Sequence, residues 1–301
     1  MDAVAQEEQI AIAVIGAGLM GAQIGCEYAL GGHRVVFVVR DEARARNRVL
    51  DALATARRFE LARPEASGDA VRRMSFRAGC WGDEPVELIV ESLVEERAVK
   101  RGWLAAAAAW RPEATIATNS SSISVSELGR LAGVEHQIVG THYWNPPLLM
   151  PLVEVLAGEA TPPARLERVM AILRGIGKRP VRLGGEAPGL LWNRIQFAVL
   201  REALWLVEHG IATPEAIDEV MRDGLARRWR LTGPFETVSL GGAAVFDAIA
   251  ANLFPTLSDA SAATGFGPHL IEDVEALRAL RERRDEGLAR ELARERSSQP
   301  P

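Results

Sequence analysis

The apolar run Ile10–Ile15 (IAIAVI) leads straight into Gly16-Ala17-Gly18-Leu19-Met20-Gly21. A short, continuous run of this kind is the pattern of a strand buried on both faces of a parallel sheet. The glycine spacing then restricts what can follow. Gly16 permits a tight turn, Gly18 lets the backbone approach a pyrophosphate, and Gly21 lets the next helix pack close to the strand. A helical pattern runs from Ala22 to Leu30 and ends at Gly31-Gly32, and Arg34–Val39 (RVVFVV) is a second buried strand. The unit has the size of a βαβ crossover, about 30 residues. Alone, G-x-G-x-x-G is a weak signal; between a buried strand and a helix it is a strong one. The helix N-terminus then offers N–H groups and a positive dipole end to phosphates.

The alternation continues. Val86–Val90, Ala114–Thr118, Gln137–Gly140 and Val153–Leu156 read as strands, and Glu96–Trp110 and the segment opened by Ser124-Val125-Ser126-Glu127 read as helices. Residues 41–66 are charged and rich in Ala, Leu and Arg, the pattern of one amphipathic arm. Composition changes at Gly184–Gly189 (GGEAPG), and beyond it the pattern is helical, in Leu190–His209, Pro214–Gly224, Gly242–Leu253 and Ile271–Arg296. The expected fold class is α/β. A Rossmann-like doubly wound sheet domain spans 1–187, and an all-helical C-terminal domain spans 188–301.

Composition narrows the function classes. The 301 residues carry 35 Lys+Arg against 40 Asp+Glu, a net charge of −5, which argues against nucleic acid as partner. No apolar run is long enough for a transmembrane helix, and the acidic N-terminus is not a signal peptide. Two cysteines, Cys26 and Cys80, make no disulfide framework and favour a cytoplasmic protein. No metal site is expected. Cofactor choice turns on the end of the second strand, where an NAD-specific site usually has an acid. Here Val39 is followed by Arg40 and Asp41, with Arg44 and Arg46 nearby. Arg40 can bind a 2′-phosphate through a charge-assisted fork, so NADP is favoured and NAD remains possible. Alternatively, Asp41 takes the ribose, or Arg40 merely caps the next helix.

IAVIGAGLMGAQIG, IVESLVEERAVK, TNSSSISVSEL, GTHYWNPPLLMPLVEV and GLLWNRIQFAVLREALWLVEHG occur in this order over roughly residues 10–258. Together they resemble the L-3-hydroxyacyl-CoA dehydrogenase family, most of all its lambda-crystallin and L-gulonate dehydrogenase branch. The resemblance implies an NAD(P)-dependent dehydrogenase or reductase that interconverts a 3-hydroxyacyl group and its 3-oxo form, with a homodimer formed through the C-terminal domain. It implies His142 as general acid/base, with Glu154, 12 residues on, orienting its imidazole. Oxidising a secondary alcohol requires removal of the O–H proton as hydride leaves, and an imidazole fixed by a carboxylate suits that task. Ser121 and Asn193 fall on the substrate-oxygen serine and asparagine. Gly16, Gly18, Leu19, Met20, Gly21, Asn119, Glu95 and Lys100 fall on cofactor positions. Without the resemblance, Glu95 and Lys100 read as an exposed helical pair. His33, His136, His209 and His269 read as surface or packing residues.

The sequence departs from the family in four places. The strand-end acid is replaced by Val39. The stretch from Arg40 to Glu87 is short, with only Arg57 and Arg58 as candidates for a CoA phosphate. Gly224–Arg230 is arginine-rich, and Arg228 could hold a substrate carboxylate bidentately. The closing aromatic motif is degenerate in 264–269 (TGFGPH). A CoA or carrier thioester and a free 3-hydroxy acid therefore compete as substrate. A non-enzymatic structural or sensing role on the same fold is the rival of another class.

Overall fold

The computed structural model describes residues 9–62, 64–79, 81–262 and 265–298. Cys80, Thr264 and the start of the chain lie outside them. By Cα proximity the chain divides into two compact units, Met1–Leu191 with Arg278–Pro301, and Trp192–Leu277. The division differs from the one read at 187/188 in returning the chain's last segment to the first unit.

In the first unit, eight strands form one sheet: β1 (Ala11–Ile15), β2 (Arg34–Val39), β3 (Met74–Ala78), β4 (Val86–Glu91), β5 (Thr115–Thr118), β6 (Ile138–Tyr143), β7 (Leu152–Ala157) and β8 (Arg179–Arg182). Their order is β3-β2-β1-β4-β5-β6-β7-β8. β1 to β6 are parallel, β7 is antiparallel to β6, and β8 is parallel to β7. The side-chain period of two divides the core. Ile12 and Val14 join one apolar layer with Ile24, Val49 and Leu173, while Ala13 and Ile15 join the other with Leu104, Ile116 and Leu128. This doubly wound sheet agrees with the expected fold class.

Two edge strands escape the sequence patterns. β3 (MSFRA) and β8 (RPVR) carry polar or charged residues, and Pro180 lies in β8. Charge and proline are tolerated at a sheet edge, where one side of the backbone needs no partner strand. The arm expected over 41–66 is two helices, α2 (Glu42–Arg58) and α3 (Pro64–Arg73). The chain leaves α2 through Phe59 and Glu60, and Glu60 has a left-handed φ of 52°.

The other helices of this unit are α1 (Leu19–Leu30), α4 (Arg97–Trp110), α5 (Val125–Ala132) and α6 (Pro163–Gly175). Ser124 caps α5, its hydroxyl accepting from the Glu127 amide at 3.1 Å. Ser126, two residues on, accepts from the Glu159 amide at 2.9 Å.

Next come α7 (Leu190–Glu208), α8 (Pro214–Glu219), a π-helical segment (Val220–Leu225), α9 (Ala226–Trp229), α10 (Pro234–Gly241), α11 (Ala243–Leu253) and α12 (Val274–Ser298). Among the described residues of the second unit, only Ser258 is buried. Leu231 and Phe235 are 86% and 87% exposed. No single helix among the described residues is long and apolar enough to cross a membrane.

Candidate active site

The glycine loop is built as the motif requires. Gly16 has φ = +90°, and a Cβ there would stand 2.6 Å from the Ser92 carbonyl oxygen. A Cβ on Gly21 would run into the Gly16 carbonyl oxygen. Gly18 is the N-cap of α1 and places no side-chain acceptor on the first-turn amides. Those N–H groups have no intrahelical partner by construction, so they suit an anion.

Gly16 and Gly18, Arg40, Arg44 and Arg48, and Trp103 line one groove. The left-handed turn, the close helix packing and the uncapped amides fit a dinucleotide pyrophosphate. Arg48 was not singled out in the sequence, yet its Nη1 donates to the Ala17 carbonyl at 3.3 Å. Arg40, Arg44 and Arg48 follow one another at four-residue intervals, and that run is the signal that points to it. Arg46 lies elsewhere, bonded to Glu42 at 2.8 Å and over the Phe76 ring. Asp41, not Arg40, caps α2, accepting from the Arg44 amide at 2.9 Å. Arg58, one of the two CoA-phosphate candidates, pairs with Glu286 at 3.2 Å.

Behind the loop that follows β5 lies a buried charge cluster. The Lys100 ammonium donates to both oxygens of Glu91, at 2.7 and 2.9 Å, and pairs with Glu95 at 3.1 Å. Lys100 is 1% exposed, which overturns the reading of an exposed pair. Burying a charge is costly unless it is paired and hydrogen-bonded, and here every partner is in place. Glu91 also accepts from the Leu93 amide at 2.7 Å and the Thr118 hydroxyl at 2.6 Å. Glu95 accepts from the Ser120 hydroxyl and from the Ser121 and Ser122 amides, the latter two at 3.2 and 2.9 Å. Burial pushes the Glu95 carboxyl up, but the Ser120 and Ser122 bonds and Lys100 together bring it down to about 2. A permanent carboxylate thus ties down the loop that carries Ser121. Glu91, at the end of a strand run, had no motif to mark it.

His142 on β6 faces Glu154 on β7 as a register pair. Its Nδ1 lies 2.6 Å from Glu154 Oε2, and the other carboxylate oxygen accepts from the Leu191 amide at 3.0 Å. His142 is 8% exposed and Glu154 is buried. A carboxylate at Nδ1 selects the tautomer with the proton on that nitrogen, leaving the Nε2 lone pair to take a proton. Asn119 links this pair to the loop: its amide donates to the Glu91 carbonyl at 2.9 Å, and its Oδ1 accepts from the Tyr143 amide at 2.9 Å. Gly16, Glu91, Asn119 and Tyr143 all lie at the carboxyl ends of parallel strands, the edge where ligands bind in open α/β sheets.

The first unit therefore holds the glycine loop, Arg40, Glu95, Lys100, Asn119, Ser121, His142 and Glu154. Asn193 on α7 and the exposed Arg228 on α9 lie in the second. Among the remaining histidines, His33 is buried beside the Tyr28 ring. His136 and His209 have Nδ1 near the carbonyls of Ala160 and Trp205, at 3.0 and 2.8 Å. No group of three or more His, Cys, Asp or Glu among the described residues could hold a metal ion.

Comparison with known proteins agrees with this fold. Residues 11–187 match the 3-hydroxyacyl-CoA dehydrogenase NAD binding domain, and residues 189–288 match the C-terminal domain of the same enzymes. A lambda-crystallin homolog of Bos taurus is 36% identical over 243 residues, 76% of this chain and 73% of that protein. The 5-formyl-3-hydroxy-2-methylpyridine 4-carboxylate 5-dehydrogenase of Mesorhizobium japonicum is 30% identical over 252 residues, 82% and 81% of the two chains. A crystal structure of a dehydrogenase of that name, described as an NAD+ dependent dismutase, superposes with a TM-score of 0.85 at 25% identity, covering 97% of this chain and 100% of that one. The chain belongs to the 3-hydroxyacyl-CoA dehydrogenase family, NAD-dependent oxidoreductases that act on CH–OH groups.

Proposed function

We propose that the protein interconverts a 3-hydroxyacyl thioester and its 3-oxo form, with His142 as acid/base and Glu154 as the group that orients it. The observation that carries the reading is the 2.6 Å contact between His142 Nδ1 and Glu154 Oε2 at the carboxyl edge of the sheet. In oxidation, Nε2 takes the hydroxyl proton, and the carboxylate beside Nδ1 stabilises the imidazolium that forms. In reduction, the same Nε2 returns the proton to the 3-oxo oxygen. Ser121, on the loop that Glu95 holds, offers its hydroxyl to the reacting oxygen. A bound nicotinamide dinucleotide supplies the hydride acceptor or donor. Gly16–Gly21 would hold its pyrophosphate, and the anionic Glu95, braced by Lys100, and Asn119 would hold its nicotinamide end. His142→Ala tests the acid/base role: loss of turnover with intact cofactor binding is expected, and unchanged turnover overturns it.

A free 3-hydroxy acid is the second reading of the substrate. The exposed arginines 227, 228 and 230 and the Arg58–Glu286 pair favour it, as does the carboxylate in the name of the Mesorhizobium relative. Turnover of acetoacetyl-CoA against a panel of free 3-oxo acids decides between them. NADP is the cofactor that the Arg40, Arg44 and Arg48 row favours, whereas the relative described as NAD+ dependent favours NAD. Titration of NADPH and NADH decides this; tighter NADH binding removes the argument from Arg40. The protein is a homodimer joined through its helical domain, because the apolar side chains among the described residues of the second unit lack a core of their own, and its two cysteines favour the cytoplasm. Light scattering at the mass of one chain overturns the dimer.

A further inference from the structure

The loop joining β6 to β7 connects His142 to Glu154, and its backbone is held from outside by the Gln23 side chain, which accepts from the Leu148 amide at 3.4 Å, by the Arg179 amide, which donates to the Pro151 carbonyl at 2.8 Å, and by a buried ammonium that takes two of its carbonyls. Lys178, just before β8, donates from Nζ to the Pro147 carbonyl at 2.7 Å and to the Met150 carbonyl at 2.8 Å. Its charge is paired with Glu27 on α1, and both side chains are buried. The same ammonium lies 6.0 Å from the centroid of the Tyr143 ring, next in sequence to His142. Tyr143 in turn donates its hydroxyl proton to the Tyr28 hydroxyl at 3.1 Å.

We propose that Lys178 is a positioning residue for the His142–Glu154 pair, acting through the two carbonyls of the connector. The proposal rests on the reading of His142 as acid/base. Beyond the Tyr143–Val153 pair the two strands have no further ladder contacts, and the connector must return the chain from β6 to β7. A connector free to shift would change the relative reach of the two strands. A change of about 1 Å in a catalytic group can cost about 100-fold in rate. An ammonium serves better than a neutral donor because charge-assisted hydrogen bonds are roughly twice as strong. Glu27 supplies the opposite charge that makes burying it tolerable.

The test compares Lys178→Met, Lys178→Arg and the double variant Lys178→Met/Glu27→Leu in the full chain. The double variant removes both buried charges together, so it leaves no uncompensated carboxylate and keeps the question open to test if the single variant fails to fold. The first readout is the pair of ¹⁵N shifts of the His142 ring, which needs no substrate. The second is kcat and KM for the most active compound of the panel above. In the double variant we expect the ring shifts to move toward a tautomer mixture and kcat to fall at least 10-fold, with the Kd for the reduced cofactor changed less than 2-fold. Lys178→Arg keeps a charged donor, and its ring shifts should stay near those of the wild type. Wild-type ring shifts and kcat in the folded double variant overturn the proposal. Turnover that survives in His142→Ala overturns the acid/base reading instead, and the ring shifts still report whether Lys178 aligns the pair.

Discussion

His142 and Glu154 are 12 residues apart in the chain and directly opposite across an antiparallel ladder, with Nδ1 and Oε2 at 2.6 Å. Glu154→Gln keeps the shape but offers Nδ1 an amide that can present either a donor or an acceptor. It should lower kcat by about 10²–10⁴-fold, the usual range for acid/base groups, with little change in cofactor affinity. Steady-state kinetics beside a cofactor titration checks this. A change confined to KM would assign Glu154 to binding.

Lys100→Met should destabilise the protein strongly. It leaves Glu91 and Glu95 buried or half-buried without their cation, a loss of about 3–5 kcal/mol for a broken buried pair. Adding Glu91→Gln should recover part of the loss, because one uncompensated charge is removed with it. Denaturant unfolding of the single and double variants measures both. Equal stability of Lys100→Met and wild type would show that the cluster contributes nothing to the fold.

Gly21→Val should abolish dinucleotide binding, since the new side chain meets the Gly16 carbonyl oxygen and pushes α1 off the loop. Trp103 lines the same groove, so quenching of its fluorescence reports the cofactor directly. Normal quenching in the variant would mean that the phosphate site lies elsewhere.

Stability should fall as pH rises toward neutrality because of Glu27. Burial raises its carboxyl to about 7, against the opposing pull of Lys178 and Arg296, and Cys26, Tyr28 and Tyr143 also face it. The folded state therefore binds more protons than the unfolded chain between the ordinary carboxylate range and about 7. The stabilisation is complete below that window and is lost through it. Glu27→Gln removes the titration, so its unfolding free energy should vary less with pH than that of the wild type between pH 5 and 7.5. Parallel pH profiles would place the titration elsewhere.

Much of the site was legible in sequence because its signals are local. The glycine loop needs a buried strand before it and a helix after it, and all three lie within about 30 contiguous residues. His142 and Glu154 stood out through family resemblance, while spacing alone could not pair them. The four-residue run marks Arg48 only as one of a row of arginines, and its place in the groove depends on which face α2 turns there. Glu91 and the burial of Lys100 were illegible for a similar reason: the cluster draws on β4, α4 and β5 together.

By itself, the sequence determined the α/β class, the dinucleotide loop and the helical character of the C-terminal domain. Those properties follow from periodicity and from glycines, which act over one or two elements. The tertiary structure decided the charged edge strands β3 and β8, the breaking of the arm into two helices, and the inclusion of residues from Arg278 onward in the first unit. It also set Glu154 against His142 and closed Lys100 over two carboxylates. Each of these depends on strand register or on burial by distant segments. A linear pattern does not record either one, because an edge or a buried charge exists only once its neighbours are in place.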